Sequence, residues 1–122
     1  MADTPSTDDS ASRSSVMAIS IKERAALYAS YMPFIQGGGL FLPSPRSFTM
    51  GDPLLVILQL LDNPKRFPIT GTVCWITPAG AVNKTQGVGI QLPQNDIGSE
   101  VRLLIEQALG SALKSSRKTH TL

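Results

Sequence analysis

Cys74 and His120, each the single residue of its type, are the first side chains to weigh for covalent or proton-transfer chemistry. A catalytic thiol needs a depressed pKa and a histidine held beside it. Cys74 lies in an apolar run between Val73 and Trp75, the setting of a core or half-core residue. His120 is the third-last residue, where nothing in the sequence is placed to orient it. One cysteine and one histidine cannot build an ordinary zinc site, and a lone cysteine excludes an internal disulfide. Outside the first residues the carboxylates are few and scattered, so no acid/base pair stands out. Gly37-Gly38-Gly39 runs into Leu40-Phe41, not into the Gly-Lys-Ser/Thr of a phosphate loop, and it lacks the G-x-G-x-x-G spacing. The chain reads as no enzyme, with no cofactor and no metal.

The remaining candidate residues are apolar and aromatic. Met32-Pro33-Phe34-Ile35 precedes the three glycines, and Tyr28, Tyr31 and Trp75 are amphipathic aromatics suited to half-exposed positions. Interfaces are anchored by such side chains in a desolvated centre. Two readings of the glycines are open: a turn or bulge between strands, or a backbone approached closely by a partner or ligand. The candidate interface residues are therefore Tyr28, Tyr31, Met32, Phe34, Ile35, Gly37, Gly38, Leu40 and Trp75.

The elements that must position them follow from periodicity. The chain has 122 residues, 42% of them apolar, enough for one packed domain. Residues 1–15 hold no large apolar side chain besides Met1 and are expected to be a disordered tail. The domain is expected over 16–113. Arg24–Met32 fits helix or strand, and its two tyrosines favour strand. Gly39–Pro43 is a short strand. Leu54–Leu61 is an eight-residue apolar run between Gly51-Asp52-Pro53 and Asp62-Asn63-Pro64, which favours a buried strand over a helix. Phe67–Thr77 is rich in β-branched residues. Gly80–Lys84 is a turn, and Gln86–Leu92 is a further strand.

Both faces of Leu54–Leu61 are apolar: Leu54, Val56, Leu58 and Leu60 on one, Leu55, Ile57 and Leu61 on the other, broken only by Gln59. A barrel core explains one face. The other should meet a helix, or else a partner chain.

That helix is legible in Ile97, Val101, Leu104, Ile105, Ala108, Leu109 and Ala112, one stripe at helical spacing. It is expected over about 96–113, with Asn95 or Asp96 as its cap. The fold class is mainly β: a small six-stranded barrel with a C-terminal amphipathic helix. Residues 114–122 are expected to be a flexible tail, with ordering on a partner as the other reading.

The net charge is +2, with basic residues dispersed and none interleaved with aromatics on strands, which argues against a nucleic-acid binder. No apolar run approaches the ~20 residues of a membrane span. The acidic, Ser/Thr-rich start is unlike a signal peptide. Cytoplasmic localisation is the expectation.

Phe34-Ile35-Gln36-Gly37-Gly38-Gly39-Leu40-Phe41-Leu42, then Gly51 and the Leu54–Leu61 strand, then Gly71-Thr72-Val73-Cys74-Trp75, then Gly87-Val88-Gly89-Ile90 resemble, in order and spacing, the PilZ domain family over about residues 15–113. The resemblance implies a six-stranded barrel with a C-terminal helix. It also implies cyclic di-GMP binding through R-x-x-x-R before the first strand and D/N-x-S-x-x-G after it. This chain departs at both. Arg13 stands with Met17 where the second arginine belongs, and the second motif reads Phe34-x-Gln36-x-x-Gly39. Charge-assisted hydrogen bonds of the kind arginine makes to phosphate contribute roughly 1.5–3 kcal/mol each. Losing the second arginine and the carboxylate should weaken binding by on the order of three decades.

Tyr31 to Pro43 is similar to the subset of the family that serves type IV pilus assembly. That resemblance implies a non-catalytic adaptor in pilus biogenesis and twitching motility. Its implied partners are the EAL domain of a FimX-type EAL/GGDEF protein, which does the nucleotide sensing, and the PilB-type extension ATPase. The competing reading is a cyclic di-GMP receptor with a degenerate site.

Overall fold

The structure, a computed structural model, describes residues 16–114 and 119–121. Arg13 and the expected tail at 1–15 lie outside the described residues.

Six strands form one sheet: β1 Val16–Ile21, β2 Tyr31–Met32, β3 Gly39–Pro43, β4 Pro53–Leu60, β5 Arg66–Thr77 and β6 Gly87–Gln91. Their order is β1-β4-β5-β6-β3-β2. β1 runs parallel to β4, and every other pairing is antiparallel. The sheet curls into a half-barrel whose two edges, β1 and β2, are not paired with each other. Helix α1, Arg24–Ser30, connects those edges, and helix α2, Asp96–Leu109, continues into a 3-10 turn over Gly110–Lys114. The expected mainly β fold with a C-terminal helix is what forms.

β4 starts at Pro53 and stops before the Asp62-Asn63-Pro64 turn, as its flanking breakers dictate. Asn95 caps α2, its side chain accepting from the Gly98 N–H at 2.8 Å. Val101, Ile105 and Leu109 of α2 are buried in one cluster with Leu54, Val56, Leu58 and Leu60. Helix and core therefore lie on the same concave face of the sheet.

Two sequence expectations are corrected. Arg24–Met32 is not a strand: residues 24–30 are helical, and only Tyr31–Met32 pairs, with Leu40 and Gly39. Ala25, Ala26 and Leu27 are good helix formers, and Leu27 is fully buried against the core, so packing decides against the tyrosines' β preference. The second face of β4 does not meet the helix either. Leu55 and Ile57 are half-buried on the convex side, in register with Val16 and Ala18 of β1 and Thr70 and Pro68 of β5. Leu61 leaves that row, because its backbone turns at φ 50° and its side chain packs on the core.

Candidate functional site

β3, β6 and the end of β5 place a band of side chains on the convex face. Leu40, Leu42, Val88 and Ile90 point into the core. Alternation then sends Gly39, Phe41, Gly87 and Gly89 outward. Gly89 pairs with Phe41 on one side and Trp75 on the other. A Cβ at Gly89 would lie 2.7 Å from Trp75 Cβ and 2.8 Å from Met32 Sδ. The missing side chain is what lets Trp75 and Met32 lie against the sheet. The register shift between Val73 and Trp75 leaves Cys74 as the extra residue of a bulge and re-aims Trp75 outward.

Over this floor lies the loop from Met32 to Gly39. Ile35 N–H donates to Met32 O, and Gly38 N–H to Ile35 O, so the loop is two overlapping turns. Gly37 and Gly38 hold φ of 80° and 89°, a region that other residues rarely adopt. Both glycines stand in the turn. The loop carries Phe34 onto Trp75: the rings meet edge-on with centroids 6.0 Å apart and an interplanar angle of 62°. Phe34 is 45% exposed, and Ile35 and Trp75 are half-buried. Trp75 Nε1–H donates to Thr77 Oγ1 at 2.9 Å, which fixes the indole.

The structure thus brings Phe34, Ile35 and Trp75 together at the surface with Met32 beneath. Tyr28 is on a different element, half-buried on α1 against the core. Met32 and Leu40 are 0% exposed, so their side chains support the surface without offering any. Tyr31, expected to be half-exposed, is 1% exposed. It sits on the concave side opposite Leu40, with its hydroxyl on Glu106 of α2. Gly38 is buried against the Tyr31 ring, and Gly37 lies at the edge of a neighbouring polar cleft.

That hydroxyl belongs to a polar group the sequence does not announce. Tyr31 Oη–H donates to Glu106 Oε2 at 2.6 Å, and Arg102 Nε–H donates to the same oxygen at 3.2 Å. Only the i, i+4 spacing of Arg102 and Glu106 hints at it. Burial, and then the adjoining carboxylate, hold the Tyr31 phenol well above its usual range. The Tyr31 hydrogen bond, with Arg102 adding to it, holds the Glu106 carboxyl below the usual carboxylate range. Beside this group is a cleft of about 250 Å³ lined by Gly37, Gln94, Asn95, Ser99 and Arg102.

Chemistry at Cys74 finds no support. Burial pushes its thiol up, the wrong direction for a nucleophile. His120 is oriented, contrary to expectation, but by Phe41: the rings stack with centroids 5.0 Å apart at 28°. Among the described residues there is no group of three or more His, Cys, Asp and Glu able to hold a metal, and no helix long and apolar enough to cross a membrane.

A family model described as the PilZ domain matches residues 13–110. The chain belongs to the PilZ domain family. The match spans every strand and the whole of α2. Membership places this PilZ domain among binding modules of cyclic di-GMP signalling and of protein–protein contact, not in a catalytic family. No curated protein matches the chain.

Proposed function

We propose that this PilZ domain is a non-catalytic adaptor that docks proteins on the Phe34–Ile35–Trp75 surface and does not itself bind cyclic di-GMP. One observation carries the proposal. At the loop where the family's second ligand motif belongs, the chain presents an exposed phenylalanine packed edge-on against a tryptophan. An apolar, aromatic patch fixed on a rigid sheet suits a polypeptide partner, whereas a dianionic dinucleotide needs paired arginines. Met17, where the second arginine of R-x-x-x-R would stand, packs inward against the core.

The resemblance of Tyr31–Pro43 to the pilus-assembly subset supplies the setting. The adaptor works in the cytoplasm in type IV pilus biogenesis and twitching motility. Its partners are a FimX-type EAL domain and a PilB-type ATPase. Cyclic di-GMP reaches it only through the FimX-type partner, with Tyr28 and Trp75 contributing to the ATPase contact. The test is capture of purified EAL-domain and ATPase partners by the full chain and by Phe34→Ala and Ile35→Asp. Loss of capture supports the site, and unchanged capture removes it.

The second reading, a cyclic di-GMP receptor with a degenerate site, is favoured by the polar cleft beside Gly37, where Arg102 provides one cation. Direct titration with the dinucleotide separates the two.

A further inference from the structure

Phe41 is a convex-face residue that is nevertheless 0% exposed. Its neighbours across the sheet offer no side chain to cover it, since it pairs with Gly89, and the next outward position of β6 is Gly87. A Cβ at Gly87 would lie 2.5 Å from the Phe41 ring. The cover comes from the end of the chain. His120 stacks on the Phe41 ring, and its backbone N–H donates to Ala29 O at 3.0 Å. Lys84 Nζ donates to Thr121 O at 3.3 Å.

Beside this contact, between the β1 edge and β3, runs a cleft of about 680 Å³. Ile19, Ile21, Ala26, Phe41 and Pro43 line it, and His120 forms part of its wall. Among the described residues the fastening includes one backbone hydrogen bond, one ring stack and one long lysine contact, while the Thr121 hydroxyl is buried with no hydrogen-bond partner among them, which works against the docked state.

We infer that Thr119–Thr121 is an intramolecular strap that covers Phe41 and can be displaced from it. The occupant of this end of the convex face is the chain's own C-terminal segment. Trp75 and Phe41 flank Gly89 in one row, so the strap closes the far end of the same apolar band that Phe34 and Trp75 open. A polypeptide docked on Phe34 and Trp75 extends its apolar contact to Phe41 when it pushes His120 aside. Such a partner has to bring a flat or branched apolar side chain for the Phe41 ring and an N–H for Ala29 O.

The test uses the full chain alone, by NMR and by an apolar fluorescent dye, anilinonaphthalene sulfonate. In the wild type the His120 amide exchanges about tenfold or more slower than in an unstructured chain. The His120 ring protons are shifted upfield by Phe41, at any protein concentration. His120→Ala raises dye binding, because Phe41 is uncovered. Phe41→Leu keeps an apolar side chain in place and still frees the segment, returning residues 119–121 to random-coil exchange while the strands stay protected. Random-coil shifts and exchange at His120 in the wild type would overturn the inference. So would protection that disappears on dilution, which indicates a second copy's tail, or dye binding unchanged by His120→Ala. None of these measurements involves a partner, so their failure leaves the Phe34–Trp75 proposal standing.

Discussion

Phe34 meets Trp75 edge-on at 6.0 Å although 41 positions separate them in the chain (75 − 34). Three features serve that meeting. The glycine turn carries the loop back over the sheet, Gly89 removes the side chain that would lift the indole, and the bulge at Cys74 turns Trp75 outward. The pair is a fixed apolar surface on a rigid sheet, and a partner docking there meets little ordering cost.

Truncating that surface should weaken partner capture without unfolding the domain. Phe34→Ala removes an exposed ring and should reduce affinity for a docked protein by at least about 1 kcal/mol, roughly fivefold. Thermal stability should change little. Ile35→Asp places a charge in the patch and should weaken capture further. Binding measured beside a melting curve distinguishes loss of surface from loss of fold.

The glycine opposite Trp75 should not tolerate a side chain. Gly89→Ala puts a methyl group 2.7 Å from Trp75 Cβ and 2.8 Å from Met32 Sδ. Both neighbours must shift, at a cost of about 1–3 kcal/mol. Urea unfolding should show the loss, and Trp75 fluorescence should change as the indole is displaced. Equal stability with unchanged emission would mean that the floor of the site is looser than this geometry.

The Tyr31–Glu106 bond should make stability depend on acid. Its carboxyl is held below the usual range when folded, so the stabilisation is fully present above the unfolded value near 4.5. It is lost as pH falls through the lower folded value. Tyr31→Phe should lower stability by about 1–2 kcal/mol at neutral pH, less if solvent at the half-exposed carboxylate screens the bond. The difference between the two proteins should shrink towards pH 3. Urea midpoints for both across that range check the sign.

Cys74 should be a poor nucleophile. Burial pushes its thiol above the usual value near 9, so little thiolate is present at neutral pH. Ellman's reagent should react slowly with the native chain at pH 7, faster as pH rises, and fastest after unfolding in guanidinium. Rapid native reaction at pH 7 would contradict the half-buried bulge position.

What the sequence could disclose divides along physical lines. β4 was legible because Pro53 and the Asp62-Asn63-Pro64 turn bracket an apolar run too short for a helix, and α2 because its stripe is long and Asn95 can cap it. Arg24–Ser30 was not, because seven residues carry too little periodicity to outweigh two tyrosines. Alternation disclosed that β4 has two apolar faces, but not that core and α2 share one of them, which only the curl of the sheet decides. The aromatic segment before the glycines was visible as composition, yet separating Phe34 and Ile35 from Tyr31, Met32 and Leu40 required the register of β2 on β3. The Tyr31–Glu106 bond and the His120–Phe41 stack join residues 75 and 79 positions apart (106 − 31, 120 − 41). Nothing local marks either one beyond the i, i+4 spacing of Arg102 and Glu106.

The central claim is that this PilZ domain meets polypeptides and not the dinucleotide that gives its family its signalling role. Isothermal titration of the full chain with cyclic di-GMP tests it most directly. The account predicts no saturable heat at micromolar concentrations, with the Phe34 and Trp75 resonances unmoved by the ligand. Saturable binding at micromolar or tighter affinity, centred on Arg102 and the cleft beside Gly37, would contradict it.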